Sequence, residues 1–376
     1  MFRDFPFKRV NWSTSGFLIV TFFVAIIGVP LYWAKFGIDL FHLALFLGLF
    51  IATGMSITLG YHRLFAHRAF QAKAPVRFLV LLFGASAFED SALDWASDHR
   101  NHHKHTDHEE DDPYSIQRGF FWAHIGWIFF KLYPRKLDNV KDLRKDKMVM
   151  VQHKFHLLIG LVVGLLLPTA AGFLWDGWVG ALGGFLIGGI AKVVAVQHCT
   201  FLINSLCHTV GSQPYCSKGS SRDSFLMAIF TFGEGYHNYH HTFQHDFRNG
   251  VKWWQWDPTK WVILILSKLG LASGLRQVSP EKIVLAELRE TQKKTREPLQ
   301  QFSDESKVSS CPRFKFEVQK VEEFNRRLVE YYSQIEDSVA KRLSVPREIL
   351  DSSQKTAEEM LSQIWLIQNL QVSAAR

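Results

Sequence analysis

Cysteine is scarce in this chain, and its few copies are scattered. Cys199, Cys207, Cys216 and Cys311 form no C-x-x-C pair, which excludes the paired-thiolate metal and dithiol motifs. They read as free packing residues in or near the cytoplasm, where thiols stay reduced. No small-residue cleavage site follows the N-terminal apolar run, and that run is too long for a signal-peptide core. The net charge is +8, yet no nucleic-acid signature accompanies it. The most informative absence is charge itself. None occurs from Val10 to Ala34, Leu40 to Tyr61, Leu157 to Trp175 or Gly177 to Ala191.

A bilayer core takes about 20 apolar residues in a helix. The first three runs reach that length, and the fourth does if its helix continues past Lys192 toward Val196. Buried helices of a water-soluble protein rarely stay uncharged so long, and these come in two close pairs. The composition agrees, at 47% hydrophobic with 12 Trp and 32 Phe. Two hairpins follow, with turns at Ala34 to Asp39 and around Asp176. The turns carry almost no basic charge, with Lys35 in one and none in the other. Arg3, Lys8 and Arg9, more than a dozen Lys and Arg between Tyr61 and Phe155, and most of the tail lie on the opposite side. The positive-inside rule places both termini and the long middle segment in the cytoplasm, against anionic headgroups. Lys192, about one turn inside the fourth span, either snorkels to the interface or faces an anionic substrate group.

Histidine is what the chain has in excess, with 17 copies. None lies deep inside an expected span; His42 comes closest. Three boxes stand out: "HRLFAH" (His62 to His67), "HRNHH" (His99 to His103) and "HNYHH" (His237 to His241). A lone histidine is ordinarily a surface or capping residue, but eight in three compact boxes are not explained that way. Helical residues advance by about 100°. His99 and His103 then share a face, with His102 on the other side. His237 and His241 point one way and His240 the other. Two facing boxes of this kind suit a pair of metals. Neutral imidazole suits Zn, Cu, Fe and Ni alike, so ligand type does not choose among them.

Together, "HRLFAH", "DWASDHRNHH" and "GEGYHNYHH" resemble the membrane acyl-CoA desaturases of the stearoyl-CoA type, which place a double bond at the ninth carbon. "RGFFWAHIGW" and "NSLCH" extend the likeness, which covers roughly Tyr61 to Phe247. The resemblance implies a di-iron centre held by nine histidines, with O2 as co-substrate. One iron would take His62, His67, His99, His103 and His240. The other would take His102, His208, His237 and His241, with Asn204 holding a water. Asn204 and His208 are four apart and share a helix face. His105, His108, His124 and His245 match no ligand position. The family's substrate is a fatty acyl-CoA, for which Trp95 would be a tunnel wall and Arg118 a contact near the coenzyme A phosphates. Ser97 stands where animal relatives have Arg, which keeps an acyl-carrier protein or a lipid-bound chain in view. No "HPGG" haem motif occurs, so electrons are expected from a separate donor: a ferredoxin, a rubredoxin, or a b-type cytochrome with its reductase. That absence and the helical tail point to a bacterial inner membrane, or to the endoplasmic reticulum in a eukaryotic cell.

Two other readings share the boxes. A related di-iron hydroxylase uses the same ligands. A His-rich metal transporter or sensor would hold its ligands at mid-membrane, whereas every box here lies outside the expected spans. Glu109 to Asp112 read as a solvated loop, unless one of them orients a ligand imidazole. Pro75 to Ala92 holds an apolar stretch too short to span and reads as an interfacial helix. Past Ser279 the composition changes. Ser303 to Cys311 reads as a linker. Val321, Phe324, Leu328, Tyr331 and Ile335, continued at Val339 and Leu343, form an amphipathic seam that ends before Pro346. Met360, Leu361, Ile364, Trp365 and Ile367 mark a second helix, giving a stabilising hairpin appendage. The expected fold is all-α integral membrane: four transmembrane helices in two hairpins, a cytoplasmic helical di-iron domain and a C-terminal helical extension. Its divisions are 1–60, 61–155, 156–200, 201–279 and 280–376.

Overall fold

The computed structural model describes residues 9–130, 137–308 and 311–374. Arg3 and Lys8, used above to orient the chain, and Ser309 and Ser310 of the expected linker lie outside them. The chain forms two compact units, Met1–Ser212 with Gly219–Gln277, and Gln213–Lys218 with Val278–Arg376.

In the first unit, α1 (Trp12–Phe36) and α2 (Leu40–Ala66) are long and apolar enough to cross a membrane. Two shorter helices follow, α3 (Ala74–Ala85) and α4 (Ala92–His105). The third membrane-length element is α5 (Lys147–His208). It is broken at Asp176 (φ −148°, ψ 47°) and Gly177 (φ 52°, ψ −139°). The chain folds back there so tightly that a Cβ on Gly172 would lie 2.0 Å from the Gly180 carbonyl oxygen. Only glycine permits that backbone approach, which is how apolar helices pack closely without water. Gly37 (φ 82°) ends α1, and Asp39 Oδ1 accepts the Phe41 amide at 2.9 Å to start α2. The two reversals meet. Trp175 Nε1 donates to Asp39 Oδ2 at 2.8 Å, and the Phe41 and Trp175 rings stack with centroids 4.6 Å apart. Only about a third or less of each apolar window is buried (28%, 33% and 28%). The remaining apolar surface faces outward, an arrangement suited to lipid.

Two of these helices run further than their uncharged stretches. α2 continues past Tyr61 through the first histidine box, and α5 continues past Lys192 to His208. The box-bearing segments are therefore extensions of membrane-length helices. The expected interfacial helix is shorter than Pro75 to Ala92, ending at Ala85. The unit closes with α6 (Phe225–Phe230), α7 (His237–Thr242) and α8 (Pro258–Lys268). Two short strands, β1 (Gln71–Ala72) and β2 (Ala272–Ser273), pair antiparallel with Gln71 opposite Ser273.

The described residues of the second unit form three helices: α9 (Pro280–Val308), α10 (Pro312–Ala340) and α11 (Arg347–Ala374). The expected two-helix hairpin and the linker from Ser303 are both corrected here. α9 is helical through Val308, and its Phe302 is buried with Val318, Val321, Met360, Ile364 and Ile367. Val284 and Leu288, four apart on α9, pack with Leu328 and Ile335. The dense Lys and Glu content of α9 masked this stripe in the sequence. The seam of α10 stops at Ala340, leaving Leu343 exposed; Leu361 and Trp365 of α11 are exposed as well. The segment 213–218 is held against α9: Ser217 N donates to Glu290 Oε2 at 3.1 Å, and Lys293 Nζ to Ser217 Oγ at 2.6 Å.

A chain ending at Ser303 would keep Val284, Leu288 and Phe302 but lose what covers them. It should aggregate in detergent more than a chain ending at Gln277. Size-exclusion profiles of the two truncations check this; equal monodispersity would contradict the three-helix packing.

Candidate metal centre

The first box owes its geometry to π-type turns. Ser56–Ala66 is wound with i to i+5 bonding, and the His67 amide donates to the His62 carbonyl at 3.0 Å. In an α-helix, residues five apart would point about 140° apart; the wider π turn, which bonds i to i+5, brings them onto one face. The His62 and His67 rings accordingly lie 4.7 Å apart. α4 supplies the second box and α7 the third. His208 ends α5 in a 3₁₀ turn.

These elements bring nine histidines together in two groups. His62, His67, His99, His103 and His240 form one, and His102, His208, His237 and His241 the other; within each, the ligand atoms lie within 4.8 Å of one another. The division is the one the helical faces imply, with His102 and His240 each leaving its own box. In the first group, Nε2 of His240 lies 3.0 Å from that of His62 and 2.9 Å from that of His103; Nε2 of His67 and His99 are 2.8 Å apart. In the second, Nε2 of His237 lies 3.0 Å from those of both His208 and His241, and Nε2 of His102 and His241 are 3.3 Å apart.

The opposite ring nitrogens point outward to anchors. His102 Nδ1 is 2.8 Å from Asp112 Oδ1, and His62 Nδ1 is 2.8 Å from Glu234 Oε2. His99 Nδ1 meets the Tyr114 hydroxyl at 3.2 Å, and His208 Nδ1 meets Ser220 Oγ at 2.6 Å. A carboxylate takes the imidazole's one N–H, which leaves Nε2 as a bare lone pair. Burial, and then the neighbouring imidazoles, push His67, His99, His103, His237, His240 and His241 well below the ordinary histidine pKa. Neutral lone pairs converging at this spacing repel unless a cation lies between them. Imidazole nitrogens sit roughly 2.0–2.1 Å from a bound transition metal. Two at right angles would then be roughly 3.0 Å apart, the separation seen here. The residues present fit two metal ions.

A buried charge network holds the first group. Arg63, inside the first box, is 1% exposed. Its Nε donates to Glu234 Oε1 at 3.0 Å, and its Nη1 to Asp257 Oδ2 at 3.1 Å and to the Phe247 carbonyl at 2.8 Å. Burial works against the Glu234 carboxylate, yet the Arg63 guanidinium holds its pKa below the usual value. Asp257 also caps α8 through the Lys260 amide at 2.9 Å. Arg63, Glu234, Asp257 and Ser220 went unread in the sequence. Their signal was a charged pair embedded in the quoted boxes, Arg63 after His62 and Glu234 before His237. The solvated-loop reading of Glu109 to Asp112 is corrected at Asp112, which is buried against His102, while Glu109 and Glu110 are exposed.

A family profile described as "Fatty acid desaturase" matches residues 40–264. The chain belongs to the fatty acid desaturase family. It is 41% identical to a "Probable acyl-CoA desaturase" of Schizosaccharomyces pombe over 244 residues, covering 64% of this chain and 50% of that one. It is 38% identical to "Acyl-CoA desaturase 1" of Saccharomyces cerevisiae over 295 residues, 76% of this chain and 56% of the other. It is 33% identical to the "sn-1 stearoyl-lipid 9-desaturase" of Anabaena variabilis over 274 residues, covering 71% of this chain and 94% of that protein. The chain spans about half the length of the two yeast relatives.

In this desaturase-family chain, a cavity of about 1230 Å³ reaches His62, His99, His237 and Asn204. Trp95 forms part of its wall, stacked on His99 with centroids 4.8 Å apart, and its Nε1 donates to Glu89 Oε2 at 3.4 Å. Phe17, Phe50, Phe88 and Phe232 line apolar parts; Arg100, Lys104 and Arg118 line polar ones. Arg118 is exposed, its guanidinium 3.3 Å from the centre of the Trp122 ring. Lys192 departs from both of its expected roles. It neither lines the cavity nor snorkels. It is fully buried, and Nζ donates to the Ser86 carbonyl at 2.9 Å. Ser86 caps α3, so the ammonium meets the negative end of that helix, a long-range contact invisible in local sequence. Asp112→Asn should weaken metal binding at the four-histidine group by roughly 10–100-fold, and Glu234→Gln should do the same at the five-histidine group. Chelator competition with metal counting checks this; unchanged affinity in both variants would contradict the anchoring role.

Proposed function

We propose that this chain is an O2-dependent desaturase of a saturated fatty acyl thioester, acting at two irons held by its nine histidines. The observation that carries the reading is the pair of converging Nε2 clusters at the cavity wall. Dehydrogenating an unactivated CH2–CH2 segment exceeds the chemistry of side chains, and iron with O2 supplies it. The two substrate hydrogens, two electrons and two protons from a donor, and one O2 balance as a double bond and two waters. In this reading the electrons come from a donor protein of the ferredoxin, rubredoxin or b-type cytochrome kind.

The side chains have defined tasks in this account. Nδ1 anchors fix the imidazole tautomers, and Asn204, at the cavity, holds a water at the four-histidine group. Trp95 braces His99 and bounds the space where the acyl chain bends past the metals. Glu89 lines the same wall, and burial pushes its carboxyl up to about 8. At neutral pH it is an uncharged hydrogen-bonding wall, compatible with an apolar chain. Arg118 lies at the polar mouth, suited to the phosphates of coenzyme A. The chain would cross the membrane four times in two hairpins, with both termini and the metal centre in the cytoplasm. The name of the Anabaena variabilis protein favours the ninth carbon as the site of desaturation. That relative's stearoyl-lipid substrate, with Ser97 in place of a basic residue, supports a lipid-linked chain as a second substrate class.

Purified protein should hold about two irons per chain. With O2, a reduced donor and stearoyl-CoA, it should yield an unsaturated product by mass spectrometry. His208→Ala should lose iron and activity although it lies outside every box; full iron occupancy in this variant would refute the ligand set. Turnover of lipid-linked stearate in place of stearoyl-CoA would move the carrier assignment to the second class.

Glu89 gives a pH test. Its folded pKa lies above its unfolded one, so the neutral form dominates at low pH and is lost as pH rises through about 8. A charge then enters the wall, and kcat/KM should fall across that range. Glu89→Gln should abolish the fall. A retained alkaline fall in this variant would remove Glu89 from the acyl wall.

A further inference from the structure

The stretch "VKWWQWDPTKW", Val251 to Trp261, holds four of the chain's 12 tryptophans. Trp253 is 91% exposed, and Trp254, Trp256 and Trp261 are exposed too. α8, which follows, turns Thr259, Lys260 and Ile263 inward and leaves Trp261, Leu264, Ile265 and Leu269 outward. At about 100° per residue these form opposite faces, and the outward one is apolar. Such a face is a liability in water. At 11 residues, α8 is about half the length needed to span a bilayer.

The level of α8 along the membrane helices is fixed by contacts. Thr259 Oγ1 lies 2.9 Å from Thr58 Oγ1 of α2 and donates to the Phe232 carbonyl at 2.8 Å. Thr58 is three residues from Tyr61, where the uncharged stretch of α2 ends. The first turn of α8 therefore sits at the depth where α2 leaves the apolar layer. Its far end is tied to the start of α3 by the β1–β2 pair and by the Lys73 amide donating to the Leu271 carbonyl at 2.9 Å. Exposed Lys73 and Lys268 flank this junction, and Phe78 and Leu79 of α3 are exposed like the apolar face of α8.

We propose that α8 and the tryptophan segment before it lie in the interfacial zone of the bilayer that α2 crosses, with Lys73 and Lys268 meeting anionic headgroups. Indole rings favour that depth, and a short helix with an apolar face lies in the interface plane; Lys268, on that face but in the last turn, can snorkel to the headgroups. The platform is continuous with the first metal group through covalent and polar links: Asp257, the cap of α8, pairs with Arg63, and Arg63 with Glu234 beside His62.

The test uses the full chain in lipid nanodiscs, with nitroxide labels at Trp253→Cys and Ile265→Cys and a reference at exposed Glu110→Cys. Cys199, Cys216 and Cys311 are replaced by alanine. Power saturation compares access of O2 with that of a water-soluble nickel chelate. Labels at 253 and 265 should be several-fold more shielded from nickel, relative to O2, than the label at 110. Equal nickel access would overturn the proposal and leave the face for a protein partner. Retained iron confirms folding of each variant, and Ile265→Cys alone decides if Trp253→Cys does not fold. Adding anionic lipid should deepen the label at 265, and Lys73→Glu with Lys268→Glu should abolish that change. A deepening that survives the double substitution would overturn the headgroup contacts.

Discussion

The centre depends on one buried guanidinium. Arg63 lies one residue after the first ligand histidine, inside a helix that has just run through an uncharged stretch. Burying that charge would be prohibitive alone, and it is tolerated because Glu234 and Asp257 both face it with good hydrogen-bond geometry. The partners come from far along the chain, one from the third histidine box and one from the cap of α8. Pairing them therefore docks the third box against the first. Removing any one member would strand the others. The same Glu234 reaches His62 Nδ1, so the interaction that closes the fold also sets a ligand tautomer.

Around that closure several of the imidazoles share one arrangement: one nitrogen outward to a carboxylate or hydroxyl, the other inward. His102 follows it through Asp112, His99 through Tyr114 and His208 through Ser220. Soluble di-iron bundles balance metal charge with carboxylate ligands. Here carboxylates stand one step back from the metal positions, and the cavity beside them is shared by aromatic rings and one neutral acid.

Much of this was legible in the sequence because it is local and periodic. The division of "HRNHH" and "HNYHH" into two faces follows from helix geometry alone. The uncharged runs announced membrane-length helices, although not that α2 and α5 would carry ligands on their own extensions. His208 was found only through resemblance, since nothing in its immediate surroundings marks it. What the sequence could not show was contact at long range. Lys192 reads as an interfacial or substrate-facing cation until the end of α3 is seen to lie against it. Asp112 reads as one acid in a solvated run until His102 is seen to face it. α9 was hidden for a different reason, since its sparse apolar stripe is diluted by Lys and Glu, and its buried partners lie on two other helices.

The central claim is that the two imidazole clusters are two separate iron sites with nitrogen donors. Anomalous scattering at the iron edge from crystals of the iron-loaded protein tests it most directly. Two peaks are predicted, one within bonding distance of Nε2 of His62, His67, His99, His103 and His240, the other of His102, His208, His237 and His241. A single peak between the clusters, or iron bonded directly to Asp112 or Glu234, would contradict the account.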